Sequence, residues 1–132
     1  MIWLDTNVFA RYLLNDDAAQ GTAAAALLKQ GTVTAAPTVF LELVWVLESC
    51  GCTRAEVAKG LRHLLGLPNF KLREFDAVFR AVQWYEEGLD FADAMHLASG
   101  DGGAAFYTFD RGLIKRAGKL GTLPLIAEVP VP

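Results

Sequence analysis

The sequence has few cysteines, no long apolar run and no excess of positive charge. One glycine separates its two cysteines, Cys50 and Cys52. That spacing suits neither a zinc site nor an easy disulfide, so we expect two reduced thiols in a cytoplasmic protein. The most apolar stretch, residues 39–47, is too short to cross a bilayer and contains Glu42. No basic segment precedes Asp5, so neither a signal peptide nor membrane attachment is expected.

Charge and length set further limits. Lys and Arg number 12 and Asp and Glu number 15, and the resulting net charge of −3 argues against a basic chromatin protein or a membrane-surface protein. A chain of 132 residues suits one compact domain whose core needs no disulfide or metal. With 53% hydrophobic and 20% charged residues, the composition is that of a folded chain.

Short apolar segments alternate with helical patterns along the whole chain. This alternation predicts an α/β fold in which a parallel sheet is covered by helices on both faces. The predicted strands are residues 2–4, 32–36, 70–72, 104–109 and 123–126. The predicted helices are residues 7–14, 17–30, 39–49, 54–65, 76–87, 91–99 and 111–119.

Two aspartates directly follow predicted strands. Asp5 follows the first strand, and Asp110 follows the strand 104–109. Because ligands of open parallel sheets bind outside the carboxyl ends of the strands, both carboxylates are candidate site residues. Each also precedes a predicted helix, so a purely helix-capping role stays open for both.

Further acids lie in the predicted helices. Glu42 is the only charge in a helix that is apolar on almost every side, and we therefore expect it to be buried and compensated by a metal ion, an arginine or a proton. Asp90 and Asp93 have the spacing of a helix start, with Asp90 as the cap and Asp93 in the first turn. For Glu42, a salt bridge or a place on a partly exposed helix face remains an alternative. For the aspartates, simple capping remains an alternative.

Carboxylates that meet at one sheet edge repel each other and raise one another's pKa values. A divalent cation relieves this repulsion, and hard oxygen ligands favour Mg²⁺ or Mn²⁺ over Zn²⁺. Such a site suits phosphoryl chemistry. Thr6 and Asn7, beside Asp5, are candidate supporting hydrogen-bonding residues.

Basic residues follow Asp110 in the last predicted helix. Positive charge beside the acids suits contact with a nucleic-acid backbone, although a solvated helix face stays open as the alternative. Three of the cations share one face at i, i+4 spacing. The candidates are Arg111, Lys115, Arg116 and Lys119, with Arg11 as a further candidate near Asp5.

Four segments together resemble the PIN domain, and in particular the VapC-type toxins of bacterial and archaeal toxin–antitoxin pairs. The resemblance covers essentially the whole chain, as a single PIN domain over residues 1–132. The segments are Ile2-Trp3-Leu4-Asp5-Thr6-Asn7-Val8, the embedded Glu42, Asp93 within Asp90-Phe91-Ala92-Asp93-Ala94-Met95-His96-Leu97-Ala98, and Thr108-Phe109-Asp110-Arg111.

The resemblance implies a sheet of about five parallel strands and a Mg²⁺- or Mn²⁺-dependent endoribonuclease that cuts RNA with a metal-activated water. Asp5 and Asp93 resemble the principal metal ligands of the catalytic acid cluster, and Glu42 and Asp110 complete it. Thr6 and Thr108 would be supporting hydroxyls. The resemblance also implies a VapB-type antitoxin and a homodimer.

Three alternatives remain. A receiver-type signalling domain needs an acidic pair after the first strand, and here Thr6 and Asn7 follow Asp5. A haloacid-dehalogenase-type phosphatase needs an aspartate where Asn7 stands. In a non-catalytic binding module, the acids would serve only as caps and salt-bridge partners.

Overall fold

A computed structural model describes residues 1–100, 103–121 and 125–132. Within these residues the fold is α/β, with seven helices and four short strands. In chain order the elements are β1 (Ile2–Trp3), α1 (Thr6–Leu14), α2 (Ala18–Leu28), β2 (Val33–Thr34), α3 (Pro37–Ser49), α4 (Arg54–Leu65), α5 (Phe75–Glu86), α6 (Phe91–Ser99), β3 (Phe106–Thr108), α7 (Arg111–Leu120) and β4 (Ile126–Glu128).

All strand pairs are parallel, as the alternation of elements predicts. β1 pairs with β2, and β3 pairs with β4. A single bridge joins Val33 of β2 to Phe70, so β2 lies between β1 and the extended chain at Phe70. The described residues therefore form two short strand pairs, and the expected sheet of about five strands is not formed among them. An apolar run does not fix how many of its residues pair with a neighbouring strand, so the predicted strands are longer than the observed ones.

Several boundaries differ from the prediction. α3 begins at Pro37, two residues earlier than expected, because proline is favoured in the first helical turn. The strand predicted at residues 70–72 is reduced to the bridge at Phe70. Of the strand predicted at 123–126, residues 123 and 124 lie outside the described residues, and pairing begins at Ile126. β1 is not a buried strand, since Trp3 is 73% exposed.

The packing of the helices brings together the elements that carry the candidate acids. α3 contacts both α1 and α6, and α6 also packs against α5. The inner face of α3 is fixed in the core by Phe40, Leu43, Val44 and Leu47. The end of β1, the outer face of α3 and the start of α6 are thus held on one framework. None of the described helices is long and apolar enough to cross a membrane.

A capping box starts α4. The hydroxyl of Thr53 accepts from the backbone N–H of Glu56 at 3.2 Å, and the carboxylate of Glu56 accepts from the N–H of Thr53 at 2.8 Å. These hydrogen bonds lower the pKa of Glu56. We expect Thr53→Ala to lower the free energy of unfolding by about 1 kcal/mol, measured by urea denaturation at neutral pH.

The pH dependence of this cap follows from the lowered pKa of Glu56. A carboxylate with a lowered pKa contributes stability above its ordinary pKa and loses it as the pH falls through the lowered value. Glu56→Gln, which removes the charge, should therefore be less stable than the parent at neutral pH, and the difference should shrink in acid. An equal difference at all pH values would contradict the role of the Glu56 charge.

Candidate active site

Thr6 joins Asp5 to Glu42. The backbone N–H of Thr6 donates to Asp5 Oδ1 at 2.6 Å, which makes Asp5 the cap of α1. The Thr6 hydroxyl donates to Glu42 Oε1 at 3.1 Å. Thr6 is only 5% exposed, so its position is set by the core. The structure thus brings two of the four predicted acids together, and we call them the Asp5–Glu42 pair.

The expectation that Glu42 is buried is wrong. It lies on an exposed stripe of α3 that also carries Thr38, Trp45 and Ser49. Trp45 is 70% exposed, although most of the residues around it in the sequence are apolar. Thr38, Glu42 and Trp45 follow one another at the i, i+4 and i+7 spacing of one helix face. α3 therefore has an exposed face, although its sequence is almost uniformly apolar. Glu42 forms no ion pair with a described arginine.

Asp110 is held at the start of α7. Its Oδ1 accepts from the N–H of Leu113 at 2.9 Å, so Asp110 caps the helix. Its own N–H donates to the Thr108 hydroxyl at 3.0 Å. Thr108 therefore lies where a supporting hydroxyl was predicted, and it orients the backbone that carries Asp110.

A second acidic group lies around Asp93 in the first turn of α6. Asp90 caps this helix, and its Oδ2 accepts from the N–H of Asp93 at 3.2 Å. Burial raises the pKa of Asp93, and the negative charges of Asp90 and Asp110 raise it further, while His96 and Arg116 oppose the shift. Asp90, Asp93 and Asp110, the Asp93 group, therefore share one electrostatic environment.

The chemistry of these donors fits a divalent cation. Each capping carboxylate uses one oxygen for its cap, and the second oxygen accepts no hydrogen bond from a described residue. Burial is the main cause of the raised pKa of Asp93, and the negative charges of Asp90 and Asp110 add to it, so a cation beside Asp93 would be favoured. Among the described residues, however, no three acidic, histidine or cysteine side chains form a group that could hold a metal ion. That all four acids share one ion stays a prediction.

The predicted basic residues fall into two classes. Arg11 pairs with Asp16 at 2.9 Å, and Arg111 pairs with Glu128 at 2.9 Å. These exposed pairs are weak, but they compete with any contact to RNA. Lys115 and Lys119 are exposed and form no ion pair with a described residue.

Arg116 faces the acids. A Cβ atom placed on Gly112 would lie 3.0 Å from Arg116 Nη1 and 3.2 Å from Asp110 Oδ1, so both groups lie beside the same glycine. Asn7 is exposed in the first turn of α1, and its side chain forms no hydrogen bond to an acid among the described residues. Of the predicted RNA contacts, Arg116 is therefore the one positioned next to the candidate acids.

Arg54 is a positioning residue that sequence reasoning missed. Its Nη1 donates to the carbonyl oxygens of Tyr85 and Leu89, at 2.7 Å in both cases. Its guanidinium also lies 4.4 Å from the centre of the Tyr85 ring. These contacts fix the turn between α5 and α6, immediately before Asp90. An exposed arginine in the first turn of α4 gives no local sign of contacts with residues 31 and 35 positions away.

Comparison with known families identifies the fold. The PIN domain profile matches residues 2–120 and so includes Asp5, Glu42, Asp93 and Asp110. The chain belongs to the PIN domain family. PIN domains are generally metal-dependent nucleases and typically bind divalent metals. This membership decides against the receiver-type and dehalogenase-type alternatives. No curated protein and no solved structure matches the chain significantly.

The raised pKa of Asp93 predicts a stability change in this PIN domain. A carboxyl group with a raised pKa favours the fold while protonated, and this contribution is lost as the pH rises through the raised value. In EDTA, Asp93→Asn should therefore melt at a higher temperature than the parent at neutral pH, and the difference should shrink in acid. Thermal denaturation over a pH series measures it.

Asp17 provides the matched control. It caps α2 by accepting from the N–H of Gln20 at 2.9 Å. Asp17→Asn keeps a capping side chain and should change the melting temperature little. A neutral-pH melting temperature of Asp93→Asn below that of the parent would contradict the electrostatic account.

Proposed function

We propose that this PIN domain is a Mg²⁺- or Mn²⁺-dependent endoribonuclease that hydrolyses RNA phosphodiester bonds. The observation that carries the proposal is the pairing of Asp5 with Glu42 through Thr6, combined with the Asp93 group, of which Asp90 and Asp93 lie at the start of α6, a helix that packs against the same α3. Acids at the starts of three helices and on α3 are thereby concentrated on one framework, within a family of metal-dependent nucleases.

In this proposal Asp5 and Asp93 are the main metal ligands, and Glu42 and Asp110 complete the site directly or through waters. A bound Mg²⁺ or Mn²⁺ supplies a water of lowered pKa and stabilises negative charge on the scissile phosphate. Thr6 holds the Glu42 carboxylate through its hydroxyl, and Thr108 holds the backbone of Asp110. Arg116 places a positive charge beside the acids, where a phosphate would approach.

The proposal is tested by incubating the purified chain with RNA in Mg²⁺, in Mn²⁺ and in EDTA. We expect cleavage with either cation and none in EDTA, and products that a 5′-phosphate-dependent exonuclease degrades. Cleavage that persists in EDTA, or products that resist this exonuclease, would contradict a metal-activated water.

We further propose that the enzyme is a cytoplasmic VapC-type toxin, that it forms a homodimer, and that a VapB-type antitoxin inhibits it. The similarity of four segments across the chain to these toxins supports this role. Induced expression should arrest growth, co-expression of a small neighbouring reading frame should relieve the arrest, and light scattering should give twice the mass of the chain. Arrest by a variant that does not cleave RNA would count against toxicity through RNA cleavage.

One observation favours a second candidate, a non-catalytic binding module. Asp5, Asp90 and Asp110 all cap helices, which is a sufficient structural role for each. Such a module would show neither cleavage nor a rise in melting temperature with Mg²⁺. A metal-bound nuclease would show both, because an ion that binds only the folded state stabilises it.

A further inference from the structure

An open groove of about 810 Å³ crosses the ends of β1 and β2 and the extended chain that follows Phe70. Two aromatic side chains line it and remain accessible, Trp3 at 73% exposure and Phe75 at 38%. Trp3 presents its ring to solvent although it belongs to a strand. We call this feature the Trp3 groove.

The charges of the Trp3 groove are all positive. Lys71 and Arg73 line it, and both are exposed. Neither forms an ion pair with a described residue, and no aspartate or glutamate is among the described residues that line the groove. Glu74 and Asp76 follow closely in the sequence but are not part of the lining. In a chain of net charge −3, the groove is a local site for an anion.

The groove adjoins the candidate active site. Trp3 and Asp5 are two residues apart on extended chain, so their side chains project from the same face, about 7 Å apart along the strand. The intervening Leu4 is buried, which is consistent with this alternation. Pro37, another lining residue, begins the helix that carries Glu42. The groove therefore lies next to the Asp5–Glu42 pair along the chain, although neither acid lines it.

Exposed aromatic rings with unpaired cations suit a single-stranded nucleic acid. Bases stack on aromatic faces, while lysine and arginine contact the phosphates. A duplex keeps its bases stacked inside and offers no free ring. A second copy of the chain is disfavoured as the occupant. A two-fold axis would place Lys71 and Arg73 of both copies together, and these like charges repel each other.

We propose that the Trp3 groove binds unpaired nucleotides of the RNA that flank the scissile bond, with a base stacked on Trp3 and phosphates at Lys71 and Arg73. This inference rests on the proposed ribonuclease function, and it adds a binding site outside the acids.

The test measures binding without cleavage. Fluorescein-labelled ten-nucleotide oligoadenylate and oligouridylate are titrated with the chain in EDTA and followed by anisotropy. Trp3→Ala should weaken binding by roughly 5- to 150-fold, the range that corresponds to loss of one stacked base. Trp3→Phe keeps an aromatic face and should recover most of the affinity. An RNA duplex of equal length should compete poorly.

The contribution of the cations appears in the salt dependence. The double variant Lys71→Gln/Arg73→Gln should flatten the slope of log affinity against log salt concentration by about 1.4, since each phosphate contact to a single strand contributes about 0.7. The matched controls lie outside the groove. They are Trp45→Ala, which removes a tryptophan of similar exposure, and Lys59→Gln/Arg80→Gln, which removes two exposed cations.

Each outcome separates the groove from the nuclease. The groove proposal is overturned if the chain does not bind these oligonucleotides, or if the groove variants bind no more weakly than the controls, even when Asp5-dependent cleavage in Mg²⁺ is present. Groove-dependent binding without cleavage in any metal would support the groove and overturn the nuclease. If Trp3→Ala no longer self-associates but binds RNA with unchanged affinity, the occupant of the groove is a second copy of the chain. That result would also overturn the groove proposal.

Discussion

Asp5→Asn and Asp93→Asn should each reduce RNA cleavage at least about 100-fold. Loss of a residue that merely orients a metal ligand costs 10- to 100-fold in metal affinity or activity, and these substitutions remove the charge of a proposed ligand itself. Asparagine still accepts the cap hydrogen bond from Thr6, so the α1 cap should survive in Asp5→Asn. Cleavage rates at saturating Mg²⁺, together with Mg²⁺ titrations, measure the effect.

Asp17→Asn is the control for general loss of acidic charge. Asp17 caps α2 by accepting from the N–H of Gln20, whereas Asp5 caps α1 by accepting from the N–H of Thr6, and Asp17 belongs to neither acidic group. The Asp17→Asn variant should cleave RNA at the parental rate. Parental cleavage by Asp5→Asn or Asp93→Asn, with the fold intact by circular dichroism, would remove these carboxylates from the catalytic machinery.

Arg54→Met should produce the largest loss of stability among the exposed positions considered. The substitution removes two hydrogen bonds from a charged donor to the carbonyl oxygens of Tyr85 and Leu89, and hydrogen bonds to charged groups contribute roughly 1.5–3 kcal/mol. Because Arg54 is partly exposed, we expect a decrease of about 2 kcal/mol in the free energy of unfolding, measured with urea. The turn before Asp90 would loosen, so the Mg²⁺ concentration for half-maximal cleavage should also rise.

Arg80→Met, on the exposed side of α5, is the matched control, since Arg80 forms no ion pair with a described residue. It should change neither stability nor the Mg²⁺ requirement appreciably. If Arg54→Met unfolds no more easily than Arg80→Met, the contacts to the turn contribute little. If it is destabilised without any change in the Mg²⁺ requirement, Arg54 supports the fold but does not position the acids.

Local signals made the helix starts predictable. The spacing of Asp90 and Asp93 correctly predicts α6 from Phe91 to Ser99, and Asp110 correctly marks the start of α7. A cap acts within one turn, so a few neighbouring residues suffice to identify it. The extent of the strands was not predictable in this way, because pairing of Val33 with Ile2 and Phe70 depends on residues far apart in the chain.

Exposure was the other quantity that the sequence did not determine. Trp3 and Trp45 belong to apolar segments, and yet both rings are mostly in solvent. Glu42 was expected to be buried because its neighbours in sequence are apolar, whereas its neighbours in space are Thr6 and the outer stripe of α3. The candidate acids could be named from their positions, but which of them lie together depended on the packing of α1, α3 and α6.

Asp5, Asp90 and Asp110 each cap a helix, so the positions of their carboxylates depend on whether the first turn of that helix stays formed. The three capping carboxylates accept hydrogen bonds from the backbone N–H groups of Thr6, Asp93 and Leu113. Opening of any of these first turns therefore displaces a carboxylate. Cation binding and amide protection are then coupled, and Mg²⁺ should slow deuterium uptake at these three amides before it affects the middle of the same helices. Inactivation on warming would correspondingly begin with fraying of these turns, below the temperature at which the core melts.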